Sequence, residues 1–85
     1  MVTEADKEKL KEFGEKLKKI RKDKGLSLRR LSYLCSIDYS DIGKMERGKT
    51  NITILTLFEL ANALEIDPAE IIRDLPFNIV PKPQQ

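Results

Sequence analysis

The chain has 85 residues, a formal net charge of +2, 35% charged residues and 6% aromatics, which suits one helical domain with a marginal core that leans on helix caps and tight packing. One cysteine and no histidine exclude an internal disulfide and a cysteine/histidine zinc site, and leave most acid–base and nucleophile pairings without a member. No apolar run reaches the roughly 20 residues a membrane-spanning helix needs, and the charged opening MVTEADKEKLKEF has no apolar stretch of the signal-peptide kind, so a cytoplasmic protein with no membrane partner is expected.

Five helices and no strand are predicted, an all-α fold. The first covers about residues 4–24, where Leu10, Phe13, Leu17 and Ile20 recur every three or four positions as one apolar stripe. Thr3 caps its start, Lys22 and Lys24 suit the negative end of its dipole, and Gly25 supplies a left-handed stop. The next four helices share a start signature, with an apolar residue before the cap and another at the fourth helical position. The pairs are Leu26 and Leu31 around Ser27, Ile37 and Ile42 around Asp38, Ile52 and Leu57 around Thr53, and Ile66 and Ile71 around Asp67. Each fits a hydrophobic staple, which fixes the angle at which the chain joins the helix. At the last, Asp67-Pro68-Ala69-Glu70 adds a first-turn proline and a capping-box acid.

The second helix covers about 28–35 and the third about 39–47. The connection Ser36-Ile37-Asp38 is so short that the pair must turn a sharp corner, a helix-turn-helix unit over about 27–47. Cys35 follows Leu28 and Leu31 at helical spacing, which favours a packed apolar side chain over a redox sensor. The fourth helix, 54–64, is apolar over most of its surface (Ile54, Leu55, Leu57, Phe58, Leu60, Ala61, Leu64), so it is expected to be the central buried helix. A fifth runs over 68–74. Residues 1–75 then form the domain, and 76–85, punctuated by proline, an extended C-terminal tail.

The third helix has an inner face of Ile42 and Met45 and an outer face of Tyr39, Ser40, Asp41, Gly43 and Lys44. A short helix with small and polar outer residues can enter a DNA major groove about 12 Å wide. Arg47-Gly48-Lys49-Thr50-Asn51 follows, a donor-rich loop with a flexible glycine that can lie along a phosphate backbone. Residues 1–49 hold 14 Lys/Arg and 9 Asp/Glu, net +5, and residues 50–85 hold 2 and 5, net −3, so the basic half would face a polyanion. Taken singly, each feature is also what an ordinary surface helix, polar turn or lysine-rich helix carries. The carboxylates lie beside lysines on helical faces, as solvated groups do. No enzyme and no cofactor are expected.

The stretch Gly25-Leu26-Ser27-Leu28-Arg29-Arg30-Leu31-Ser32, followed by Ile42-Gly43-Lys44-Met45-Glu46-Arg47-Gly48-Lys49 and Leu57-Phe58-Glu59-Leu60-Ala61-Asn62-Ala63-Leu64, resembles the phage-repressor-like helix-turn-helix family of Cro/Xre type over about residues 10–72. The resemblance implies a five-helix lambda-repressor-like DNA-binding domain that acts as a homodimer. Its implied function is sequence-specific binding of double-stranded DNA to regulate transcription, as a repressor of bacterial or phage type or, in a close variant, as a restriction-modification controller.

Residue by residue, the resemblance makes the third helix the recognition helix. Tyr39, Ser40 and Lys44 would meet base edges, and Lys44 suits guanine O6 and N7. Arg29, Arg47, Lys49, Thr50 and Asn51 would meet phosphates, Asp38 would cap the helix, Asp41 would serve the helix start in preference to accepting from a cytosine amino group, and Glu46 would act within the fold. Two positions depart from the pattern. Leu28 stands where members often carry glutamine, which passes phosphate holding to the helix-start amides or Arg29. Ser36 stands where glycine is common, at a modest cost if that backbone is left-handed. Ile72, Leu75, Phe77, Ile79 and Val80 are the candidate dimer interface, with folding back onto their own helices as the alternative. A competing function is an antitoxin-type module that binds a partner protein through the tail. No small-molecule effector and no separate effector domain are expected.

Overall fold

The computed structural model describes residues 2–75, in which five helices follow in order: α1 Glu4–Asp23, α2 Leu28–Leu34, α3 Tyr39–Glu46, α4 Ile54–Leu64 and α5 Ala69–Ile72. There is no strand among the described residues. Each of the first four helices starts on a side-chain oxygen that accepts an otherwise orphaned backbone N–H. Thr3 accepts from the Asp6 N–H while the Asp6 carboxylate accepts from the Thr3 N–H, a full capping box. Ser27, Asp38 and Thr53 accept from Arg30, Ser40 and Thr56.

The staple pairs close as expected. Leu31, Ile42, Leu57 and Ile71 are buried, and Leu26, Ile37, Ile52 and Ile66 pack against the same core. That core takes residues from all five helices and centres on Leu17, Leu31, Ile42, Leu60, Leu64 and Ile71. α1 lies against α3 and α5, and α2 against α3 and α4.

The ends of α1 and α3 turn on Gly25 (φ +70°) and Gly48 (φ +71°). Beyond each glycine the chain reaches back: the Leu26 N–H donates to Arg21 O (3.1 Å) and the Lys49 N–H to Lys44 O (2.9 Å). Both are Schellman closures, in which only glycine takes the left-handed residue without strain. α4 makes the same closure with Glu65 at φ +57°.

Three expectations are corrected. α5 does not run over 68–74: Asp67 Oδ1 accepts from the Ala69 N–H (2.8 Å), but Arg73 already has extended backbone and Asp74 turns left-handed at φ +65°. Among the described residues Glu70 closes no capping box. α4 is buried on one face only. Leu57, Leu60, Ala61 and Leu64 enter the core, whereas Ile54, Leu55 and Phe58 are 60%, 73% and 48% exposed. The helix has two apolar faces, and the neighbouring helices cover one.

Cys35 packs half-buried against the core and its thiol donates to Leu31 O. Burial pushes that thiol's pKa up, the reverse of what a reactive thiolate needs, so packing is its role. No helix among the described residues is long and apolar enough to cross a membrane.

Leu60 is fully buried, and Leu60→Ala is expected to lower stability by about 2–5 kcal/mol. Urea denaturation checks this; a midpoint that scarcely moves contradicts the packing.

Candidate nucleic-acid interface

The corner between α2 and α3 is held from both sides. The Ser32 hydroxyl donates to Ile37 O (2.7 Å), and the Ser36 N–H donates to the Glu59 carboxylate of α4 (3.3 Å). Ser36 is not among the residues with positive φ, so the penalty expected for lacking glycine there does not arise.

Beyond the corner, α3 is divided sharply by burial. Ile42, Gly43, Met45 and Glu46 face inward, and Tyr39, Ser40, Asp41 and Lys44 face out. Gly43 is therefore not on the outer face. It lies beneath the Arg47 guanidinium and Leu28, and a β-carbon there would stand 3.3 Å from Arg47 Nη1.

What fixes the pose of α3 is a buried ion pair. Arg21, near the end of α1, donates from Nε to one oxygen of Glu46 (2.6 Å), from Nη2 to the other (3.0 Å) and from Nη1 to Leu26 O (2.7 Å). Arg21 is 6% exposed and Glu46 7%. The forked pairing matches a planar guanidinium to a planar carboxylate, which fixes direction as well as distance. Glu46 thus has the structural role the resemblance implied, and Arg21 is the partner that sequence reasoning missed. Its sign was there: Arg21 continues the Leu17 stripe by one turn.

A second clamp is glycine. Gly14 is buried where α1 crosses α3, and a β-carbon there would collide with the backbone carbonyls of Met45 and Glu46. Gly48 packs likewise, since a β-carbon would lie 2.6 Å from Lys11 Cα. Expected to be flexible, Gly48 instead anchors the loop after α3 to α1.

The sequence-derived site residues form two groups. Arg29 and Tyr39, in the first turns of α2 and α3, meet: the guanidinium lies over the tyrosine ring, 4.5 Å from its centre, a cation–π contact. Tyr33, 85% exposed, borders the same open groove with Arg29, Ser32 and Tyr39 and was not singled out, because it sits on the polar side of the helical pattern. The Ser40 hydroxyl donates to the Asp38 carboxylate, which also accepts the Ser40 N–H. These bonds hold the Asp38 carboxyl below its usual range. With its hydrogen engaged, the Ser40 oxygen keeps only acceptor capacity toward solvent. Lys44 is exposed one turn further along.

The second group is the loop, in which Arg47, Lys49 and Asn51 are exposed and Thr50 is half-buried. Of the candidate dimer residues, Ile72 is exposed and Leu75 half-buried. Phe77, Ile79 and Val80 lie outside the described residues.

A sharp two-helix corner, an outward polar helix clamped from behind, and a cationic loop pinned beside it define a helix-turn-helix protein. A family model for helix-turn-helix proteins (HTH_3) matches residues 17–71. The chain belongs to that family, whose members are DNA-binding regulators and not enzymes. It is 31% identical to an HTH-type transcriptional regulator of Sinorhizobium fredii, over 69% of this chain and 77% of that one. With the control protein C.MunI of a Mycoplasma species it shares 33% over 74% and 86%. The crystal structure of the restriction-modification controller C.AhdI of Aeromonas hydrophila superimposes with a TM-score of 0.72 at 40% identity, over 73% and 94%. That of the controller C.Esp1396I, a tetramer on its natural 35 base-pair operator, does so with 0.70 at 30%, over 75% and 84%.

Arg21→Ala strands a buried carboxylate and is expected to cost about 3–5 kcal/mol. Arg21→Met combined with Glu46→Leu should recover part of that loss. Urea melts of both variants test the clamp: equal destabilisation by the single and double changes contradicts a charge-specific role.

Proposed function

We propose that the protein is a sequence-specific regulator of transcription that binds double-stranded DNA as a homodimer, with α3 in the major groove. The observation that carries this is the division of α3: Tyr39, Ser40 and Lys44 face solvent on a helix whose inner face is locked to α1 by Arg21 and Glu46. Tyr39, Ser40 and Lys44 read bases. Arg29, braced on Tyr39, and Arg47, Lys49, Thr50 and Asn51 hold phosphates. Likeness to several controllers of restriction-modification systems supports that regulatory role, with repression as its mode and the cytoplasm as its place of work. Nothing among the described residues favours the antitoxin-type alternative.

Residues 1–75 act as the DNA-binding domain, with 76–85 as a tail. The dimer contact centres on the uncovered face of α4. Ile54, Leu55 and Phe58 follow one another at helical spacing, and Glu59 is the only charged residue in 54–64, so the face is self-complementary for a two-fold partner. Ile72, Leu75 and, in the tail, Phe77, Ile79 and Val80 are the further candidates for the dimer contact. Phe58→Asp is expected to give monomers in sedimentation with a near-normal melting curve; a persistent dimer moves the contact to α5 and the tail, where truncation after Leu75 tests it.

Selection from a random duplex library should enrich a palindrome whose half-sites lie roughly 34 Å apart. Enrichment of nothing refutes specific reading by α3 alone. On the selected operator, Lys44→Ala should cost about 1–3 kcal/mol and relax one base pair. Lys49→Ala should weaken binding to every duplex and flatten the salt dependence by about one unit. Identical behaviour of the two variants contradicts the division between base and phosphate contacts.

A further inference from the structure

The seat of Gly48 on the Lys11 backbone brings the N-terminal half of α1 beside the loop that follows α3. Between them runs an open cleft of about 390 Å³ lined by Lys7, Lys11, Arg47, Lys49 and Asn51, with Glu8 as the one carboxylate in its walls. Lys7 is partly neutralised by Glu4 at 3.3 Å. Asp6 borders the neighbouring depression with Asn51, and its carboxylate is engaged by the Thr3 N–H. Lys11 makes no ion pair among the described residues. Four cations gathered around one anion repel one another, and an anionic ligand relieves that repulsion. The opening sets long ammonium and guanidinium arms and one carboxamide around an apolar floor to which Val2 and Leu10 contribute. That chemistry suits successive backbone phosphates and offers no enclosed cavity for a small molecule.

We propose that the DNA backbone beyond the stretch touched by α3 runs through this cleft, and that Lys11 donates to a phosphate there, with Lys7 in support. α1 then serves twice, as the wall that positions α3 and as an outer phosphate contact that lengthens the footprint on each half-site. The proposal rests on the DNA-binding reading of α3. It adds two residues that neither the sequence pattern nor the resemblance assigned.

The test is equilibrium binding across a salt series for wild type, Lys11→Ala and Lys9→Ala, on the selected operator and on a random-sequence duplex. Lys9 carries the same charge at roughly 200° around α1 from Lys11, so it controls for net charge. Lys11→Ala should weaken both duplexes roughly 3- to 10-fold near physiological salt and flatten the salt slope by about one unit, whereas Lys9→Ala should leave the slope unchanged. Trimming the outer base pairs of the operator should bring wild type to the level of Lys11→Ala and erase the difference between them. An unchanged slope for Lys11→Ala, or an equal change for Lys9→Ala, overturns the outer contact while leaving α3 intact. Wild-type protein that binds no duplex overturns both readings at once.

Discussion

The contact between Arg21 and Glu46 governs how the rest of the molecule is presented. Two charges withdrawn from water are expensive to bury, and they are tolerated here because both carboxylate oxygens and three guanidinium nitrogens find partners. An apolar contact between α1 and α3 would allow either helix to roll. A forked ion pair does not, because its strength falls once the two planes tilt. The rotation of α3 about its own axis is thereby set, and with it which residues point away from the core. Gly14 sets the remaining coordinate, distance, by letting the two backbones touch.

The parts of this fold governed by neighbours in sequence were legible from sequence. Caps and staples act over four or five residues, so Thr3, Ser27, Asp38 and Thr53 announce their helices, and the observed starts agree. Tyr39, Ser40 and Lys44 were readable as outward because Ile42 and Met45 define the inward side. Features that depend on a partner distant in sequence were not readable. Composition puts Gly43 outward, since nothing local announces that Leu28 of α2 closes over it alongside Arg47. Gly48 suggested flexibility until α1 was seen against it. α4 seemed a buried helix because apolar content says how much surface wants cover, not how much finds it. Glu70 had the spacing of a capping box, but a four-residue helix gave it little to hold in place.

Charge and packing divide the molecule the same way. Lys7 and Lys11 of α1 and Arg47 and Lys49 of the loop after α3 line one cleft, with Glu8 among them. α4 and the segment after it bring Glu59, Glu65, Asp67 and Glu70. A polyanion is drawn to the first region and repelled by the second, which orients encounter before any close contact forms. The close seat of Gly48 on α1 means that the backbone carrying Arg47 and Lys49 need not be ordered on arrival, which spares part of the entropy that a loose loop loses on binding.

The alternation along α3 between buried and exposed positions separates two kinds of selection. Substitutions at Ile42, Gly43, Met45 or Glu46 disturb the clamp and threaten folding, whereas Tyr39, Asp41 and Lys44 touch nothing on which the core depends. On the proposed reading of DNA by α3, the outer face can therefore drift and acquire new DNA preferences while the scaffold stays thermodynamically silent. A lineage built on this arrangement can diversify its targets without passing through unfolded intermediates. Ser40 is the exception: its hydroxyl is bonded to the capping Asp38 carboxylate, so on the proposed reading recognition and stability are inherited together at that one position.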